Sequence, residues 1–166
     1  MGPIALVAKF VSGTRMGVDV DSFDPGPGKS RVYVDMVGDL FHAGHVSLLR
    51  AARSHGDWLI VGVLSDDTVA SYKRRPIMTL AERVAVIESC RYVDKVVEDA
   101  PYVVTEEFLA EHDITTVVHG DDMSPEDAQL VYGAAAAAGK LTFVRYTAGI
   151  STTELIQRIY GATVRL

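Results

Sequence analysis

From residue 31 onward the chain alternates short apolar runs rich in β-branched residues with stretches whose apolar positions recur at helical spacing. The near-continuous runs predict strands over residues 31–37, 58–64, 95–97, 115–118 and 141–145. Val46, Leu49 and Ala52 lie on one helical stripe and predict a helix over 46–55. Residues 66–72 read as a short helix, followed by a basic loop, Lys73-Arg74-Arg75, that Pro76 keeps from continuing as helix. Thr79 with Glu82 is a capping box for a helix over 80–90. Thr105 ahead of Glu106 and Glu107 places acids at a positive helix end. Ser124-Pro125 with Asp127 opens the next helix, which alanine carries over 134–138 and Gly139 ends. Ser151 with Glu154, and Ile150 with Leu155, predict a last helix starting just past Ser151.

Five apolar strands separated by helices imply an α/β protein with a doubly wound parallel sheet covered on both faces. Such sheets bind ligands beyond the carboxyl ends of strands, where the strand order reverses. The polar clusters at 38–45, 73–75, 119–122 and 147–153 mostly follow strands, so they are expected to converge on one crevice. GxGxxG, GxxxxGK[ST] and GxSxG do not occur. Residues 1–30 differ in texture: apolar pieces broken by Ser12-Gly13 end in Asp24-Pro25-Gly26-Pro27-Gly28. They are read as an N-terminal extension, contributing strands or partner contacts, ahead of a functional body at 31–166.

Composition narrows the function classes. At 166 residues, 48% hydrophobic, the chain suits a single domain with its own core. Sixteen Lys and Arg against 22 Asp and Glu leave a net charge of −6, which argues against a surface that coats nucleic acid. A single cysteine, Cys90, excludes an intramolecular disulfide and a cysteine-rich zinc site and suits a reducing compartment. No apolar run approaches the roughly 18 residues of a membrane span. Residues 4–11 are interrupted by Lys9 and lack a basic leader, so no signal peptide is expected. The expected location is cytoplasmic, with no membrane partner.

The chemistry concentrates in Asp39-Leu40-Phe41-His42-Ala43-Gly44-His45, between the first strand and its helix. Histidines three apart at a helix start set both imidazoles beside free backbone amides at a positive helix end. Gly44 lets a bulky ligand approach the backbone, and each ring can donate to a phosphate oxygen as charge builds in a transition state. The plain alternative is one capping or packed histidine and one exposed one. Zinc is disfavoured, because the spacing is not HExxH and no thiolates accompany it.

His42-Ala43-Gly44-His45 resembles the HxGH motif of the nucleotidyltransferase superfamily, and Gly149-Ile150-Ser151-Thr152-Thr153 resembles its second signature. Arg91-Tyr92-Val93-Asp94 and Gly120-Asp121-Asp122 are similar to segments of the cytidylyltransferase branch that acts on phosphoethanolamine and glycerol 3-phosphate. The resemblance implies a Rossmann-like nucleotidyltransferase fold, CTP with Mg2+, a small phosphate acceptor, pyrophosphate release, and a homodimer formed through the Arg91 to Asp94 region. The chain further resembles cytidylyltransferase domains that precede a phosphoenolpyruvate mutase in bifunctional enzymes of fosfomycin biosynthesis. That likeness implies 2-hydroxyethylphosphonate as acceptor, in phosphonate antibiotic biosynthesis, and a chain that is one module of a longer polypeptide with a mutase domain.

The resemblance also assigns roles. His42, His45 and Lys73 become catalytic, with Arg74 or Arg75 able to replace Lys73 and Ser71 standing where some relatives have another lysine. Val37, Gly38, Asp39, Gly44, Arg91, Gly120, Asp122, Ile150, Ser151 and Thr152 become nucleotide-binding, with Asp122 near the cytosine end. Arg74, Arg83 and Tyr146 become acceptor-binding; the metal ligands stay open. Each has a plainer reading: capping for Ser151, a strand-end turn for Asp122, surface ion pairs for Arg83 and Arg91, and a loop acid for Asp39, whose functional readings are orienting His42 or joining a magnesium shell.

Two positions depart from the pattern. Relatives carry glycine three residues before the acid where this chain has Met36 and places Gly38 later. They carry arginine where this chain has Tyr146, with Arg145 one step earlier. Both departures point to an unusual acceptor. The leading expectation is a cytidylyltransferase for 2-hydroxyethylphosphonate. Competing readings are a phosphoethanolamine or glycerol-3-phosphate cytidylyltransferase, an ATP-dependent adenylyltransferase and a nucleotide-sensing module without turnover; the combination of His42, Gly44, His45 and Lys73 favours catalysis.

Overall fold

Arg31–Met36 forms β1, and its side chains alternate between two apolar layers. Val32, Val34 and Met36 join Leu49, Leu59, Val61 and Ile87 on one face. Tyr33 joins Ile60, Phe108, Val117 and Tyr132 on the other. A strand buried on both faces needs this near-continuous apolar sequence, as expected for a parallel sheet under two helical layers. The computed structural model describes residues 25–163, so most of the extension expected over 1–30 lies outside the described residues.

After β1 come α1 (Ala43–Arg53), β2 (Trp58–Val63), α2 (Asp66–Ala70), α3 (Leu80–Glu88) and β3 (Lys95–Glu98). Then follow α4 (Glu106–Glu111), β4 (Thr116–Gly120), α5 (Pro125–Ala137), β5 (Leu141–Val144) and α6 (Thr152–Thr163). The five strands run parallel in the order β3-β2-β1-β4-β5. This is the doubly wound sheet that the strand and helix pattern calls for. The chain winds outward from β1 to β3 and returns to pair β4 against the other side of β1. The order therefore reverses between β1 and β4, and their carboxyl ends open the crevice.

Three local features depart from the sequence expectation. Helix α1 begins at Ala43, ahead of the stripe at Val46, because its cap is His42, which lies outside the usual Ser, Thr, Asp and Asn signal. Strand β4 runs on through His119 and Gly120, which pair with Phe143 and Val144 instead of forming a turn. Helix α5 kinks at Tyr132 (φ −119°, ψ 17°). There the Val131 carbonyl accepts from the Val104 amide, 2.9 Å, and the outside donor breaks the helical ladder. No helix among the described residues is long and apolar enough to cross a membrane.

The face carrying Tyr33 is filled to its limit. The Tyr33 hydroxyl is buried with no hydrogen-bond partner among the described residues. A Cβ at Gly62 of β2 would lie 2.1 Å from it and 2.8 Å from the Ala100 Cβ. Tyr33 is fully buried against Phe108 and has nowhere to move. Gly62→Ala is therefore expected to lower stability by roughly 1–3 kcal/mol, read as a lower urea midpoint. Tyr33→Phe removes the clashing oxygen but leaves the ring carbon Cζ and the Ala100 Cβ, each 2.8 Å from the added methyl, so it should restore only part of the loss; an unchanged midpoint in Gly62→Ala alone would contradict this packing.

Candidate active site

The loop leaving β1 sets the geometry. Gly38 has φ +71°, and a Cβ there would sit 2.6 Å from Ile87 Cδ1 of α3. Only glycine fits both the backbone and the approach. The next turn delivers His42 and His45 to the start of α1, where they cap the helix reciprocally. The Gly44 amide donates to His42 Nδ1 at 3.1 Å, and the His42 amide donates to His45 Nδ1 at 3.2 Å. A nitrogen that accepts from an amide carries a lone pair, so in the neutral ring the proton sits on Nε2. This network assigns both rings the same tautomer and leaves each Nε2–H as the donor for a ligand.

His45 packs against the rings of Phe41 and His42, with centroids 5.3 and 3.9 Å away. Burial, followed by the neighbouring His42, pushes its ionisation down to about 4. Burial also lowers His42, against a weaker pull upward from Glu154. The pair is thus neutral near pH 7, and each ring offers a hydrogen-bond donor rather than a charge. Gly44 is sterically required: a Cβ would lie 2.9 Å from His42 Cε1 and 3.4 Å from Ile150 Cγ2.

Asp39 ties this turn to the basic loop. Its carboxylate accepts from the Ile77 amide (3.1 Å), the Met78 amide (3.0 Å) and Arg74 Nη2 (2.8 Å). Burial pushes the carboxyl up, but the Met78 and Ile77 amides and Arg74 together hold it below the usual range. The Asp39 carbonyl accepts from the Thr152 hydroxyl at 3.0 Å, fixing the start of α6 against the same turn. Ser151 Oγ accepts from the Glu154 amide at 3.2 Å, so its capping role is real and leaves its hydroxyl proton free to donate.

These pieces enclose a cavity of about 550 Å³. Its wall gathers Gly38, Asp39, His42, Gly44 and His45 around the first turn, Lys73 and Arg74 from the basic loop, Gly120 at the end of β4 and Asp122 just after it. Tyr146, Ile150, Ser151 and Thr152 close it on the α6 side, with Val37 also lining it. Four polar clusters that are scattered in sequence thus meet at the switch point. Lys73 Nζ rests 5.5 Å from the centroid of the Tyr72 ring.

The cavity also exposes residues that the sequence reading did not single out for binding. Asp35, Met36, His119, Arg145, Thr147 and Thr153 all line it. Asp35 is nearly buried and accepts from the Tyr132 hydroxyl at 2.5 Å. Burial raises its carboxyl, with the Tyr132 hydrogen bond and His119 pulling the other way. The His119 and Tyr132 rings stand 5.3 Å apart. The available signal was an acid inside the run Val32 to Met36, because a carboxylate in a buried strand requires a partner or a function. Arg145 supplies a cavity cation one residue before Tyr146, while the Tyr146 amide is held by Asp121 Oδ1 at 2.7 Å.

Comparison with known proteins agrees with this arrangement. The cytidylyltransferase-like family profile matches residues 38–158. The chain belongs to the cytidylyltransferase-like family. It is 44% identical over 134 residues to ethanolamine-phosphate cytidylyltransferase of Dictyostelium discoideum, covering 80% of this chain and 37% of that protein. It is 42% identical over 132 residues to choline-phosphate cytidylyltransferase A of Rattus norvegicus, covering 78% and 36%. The chain thus spans little more than a third of these relatives' length. Among solved structures, the lipopolysaccharide core biosynthesis protein of Thermoplasma volcanium superposes with a TM-score of 0.60 at 25% identity, over 72% of this chain and 98% of that one.

Two arginines expected in this cytidylyltransferase-like site lie elsewhere. Arg83, expected to bind the acceptor, is 0% exposed in α3 and directs its donors at protein groups, so it cannot reach a ligand. Arg91, expected to bind nucleotide, is exposed and does not line the cavity. It precedes β3, at the amino-terminal edge of the sheet, whereas the crevice lies at the carboxyl edge. In the same segment Asp94 accepts from the Leu59 amide at 2.8 Å and pairs with Arg53, which anchors the start of β2. Arg75 pairs with Asp67, and Ser71 closes α2 by donating to the Thr68 carbonyl.

The resemblance implies Mg2+ brought with CTP, an ion usually held by substrate phosphates and one or two carboxylates. Among the described residues no three His, Cys, Asp or Glu side chains gather as metal ligands. Asp39, the acid beside the HxGH turn, already has three donors on its carboxylate.

Proposed function

We propose that this chain is a cytidylyltransferase that transfers CMP from CTP to phosphoethanolamine, releasing pyrophosphate. An acceptor phosphate oxygen attacks the α-phosphorus of CTP, and the new P–O bond forms as the bond to pyrophosphate breaks on the opposite side. The reaction needs positioning and charge stabilisation more than a covalent nucleophile. His42 and His45 donate through Nε2–H to non-bridging oxygens, and Lys73 reaches over both substrates from its loop. Ser151, Thr152 and the first amides of α6 hold the terminal phosphates. Asp122 accepts from the cytosine amine. Mg2+ bound to the triphosphate of CTP would supply further neutralisation of phosphate charge.

The observation that carries the acceptor is Asp35 on the cavity wall beside His119 and Tyr132. An ammonium group on a two-carbon arm meets a carboxylate there, and the relatives named for ethanolamine phosphate and choline phosphate support an amino-alcohol. A second reading, 2-hydroxyethylphosphonate, has its own support. Burial holds the Asp35 carboxyl above its ordinary range, and one oxygen already accepts from Tyr132. A neutral hydroxyl is a fitting partner for such a group.

The deciding measurement is pyrophosphate release with CTP or ATP, Mg2+ and a panel of phosphoethanolamine, phosphocholine, glycerol 3-phosphate and 2-hydroxyethylphosphonate. Release with CTP and phosphoethanolamine is expected. Release only with the phosphonate would overturn the first reading in favour of the second; release with no pair would overturn both.

A further inference from the structure

We infer that Arg83 is a positioning residue for cytidylyl transfer, a buried tie that fixes the Lys73 loop against the turn facing the phosphates. This rests on the proposed role of Lys73. Arg83 Nη1 donates to the Val37 carbonyl at 2.5 Å, and Nη2 donates to the Leu64 carbonyl at 2.9 Å and to Asp66 Oδ1 at 2.6 Å. Nε donates to the Met78 carbonyl at 3.3 Å. Val37 opens the turn that leads to His42. Leu64 and Asp66 stand where the chain enters α2 and then the Lys73 loop, and Met78 stands where it leaves. One planar guanidinium thus spans the site turn and both roots of the loop, which a lysine's point charge cannot do.

Asp39 completes the tie from the ligand side. The Met78 amide donates to Asp39 while the Met78 carbonyl accepts from Arg83, so both of its backbone groups are fixed to the site. Burying a cation is costly unless it is paired and fully hydrogen-bonded. Apolar packing alone would be served by leucine at this position. The cation instead sets where the loop sits, and through it Lys73.

Asp66→Asn removes the one anionic partner that Arg83 has among the described residues and leaves its carbonyl bonds in place. Turnover should fall about tenfold, the scale of a modest misplacement of a reacting group, with the KM for CTP within about twofold and a lower unfolding midpoint, because the buried guanidinium loses its counter-charge. In a Lys73→Ala background the same substitution should have no further effect, because coupled residues are non-additive. Trypsin should cut after Lys73 and Arg74 about tenfold faster in Asp66→Asn, with cleavage after the exposed Arg158 unchanged. Arg83→Lys should behave like Asp66→Asn; where it fails to fold, Asp66→Asn decides. Additive losses with Lys73→Ala, or unchanged cleavage of the loop, would overturn the inference. If the wild-type protein turns over no substrate pair, the proposed function fails, and the loop cleavage still tests Arg83 by itself.

Discussion

His45→Ala is expected to reduce turnover by about a hundredfold or more, the usual cost of removing a preorganised donor to a developing negative charge. It also deletes the acceptor of the His42 amide, so a loss of stability of roughly 1 kcal/mol should accompany it. The two effects separate in His45→Gln. Glutamine at the third helical position can accept the amide of the capping residue and rebuild the reciprocal cap, but it brings no imidazole. Its stability should approach wild type while turnover stays about a hundredfold down. Recovery of turnover in His45→Gln would reduce His45 to a helix cap.

The pH dependence gives an independent check. With the folded ionisation of His45 pushed down to about 4 and the unfolded one near 6.5, the unfolded chain binds a proton that the folded chain refuses. Stability should therefore fall as pH drops through that window and be indifferent to this group above it. His45→Gln should flatten the slope. A neutral donor also predicts that turnover does not rise as pH falls from 7.5 to 6, whereas an imidazolium donor requires a rise.

Much of the architecture was legible because parallel strands buried on both faces have little freedom in composition, and because Thr79, Thr105 and Ser124 are strong cap signals. Each caps its helix in the structure: the amides of Glu82, Phe108 and Asp127 donate to them. The start of α1 was less legible because His42 is an unusual cap, and its partner in the reciprocal box is a second histidine. The convergence of four loops followed from where they leave the strands. Individual side chains did not follow from it. Arg83 is only one turn into α3 and reads in sequence as a surface arginine near Glu82; its burial depends on carbonyls 46 and 19 residues away. Arg91 carries a family-like segment, yet the alternation of strand and helix puts it at the opposite edge of the sheet. Tertiary register, absent from local pattern, separates the two sides of the site.

Asp35→Asn is the substitution that distinguishes the two acceptors. If an ammonium group rests on Asp35, asparagine removes its counter-charge in a nearly buried position, and loss of a buried charge partner costs several kcal/mol. The kcat/KM for phosphoethanolamine should fall about a hundredfold, with the KM for CTP within about twofold, since the proposal puts the acceptor and not the nucleotide on Asp35. If the occupant is instead the hydroxyl of a phosphonate, the substituted asparagine still offers a carbonyl oxygen, and the loss should stay within about tenfold, one neutral hydrogen bond. Asp35→Leu removes both possibilities and should impair either acceptor, while Tyr132→Phe frees the carboxylate oxygen now held by the Tyr132 hydroxyl. The direction with pH is equally specific. The carboxyl sits above its ordinary range because of burial, so acidification protonates it earlier than an exposed acid. The KM for an ammonium acceptor should rise as pH falls through that ionisation, and the KM for a hydroxyl acceptor should hardly move. Equal kcat/KM for phosphoethanolamine in wild type and Asp35→Asn would remove this carboxylate from the acceptor site.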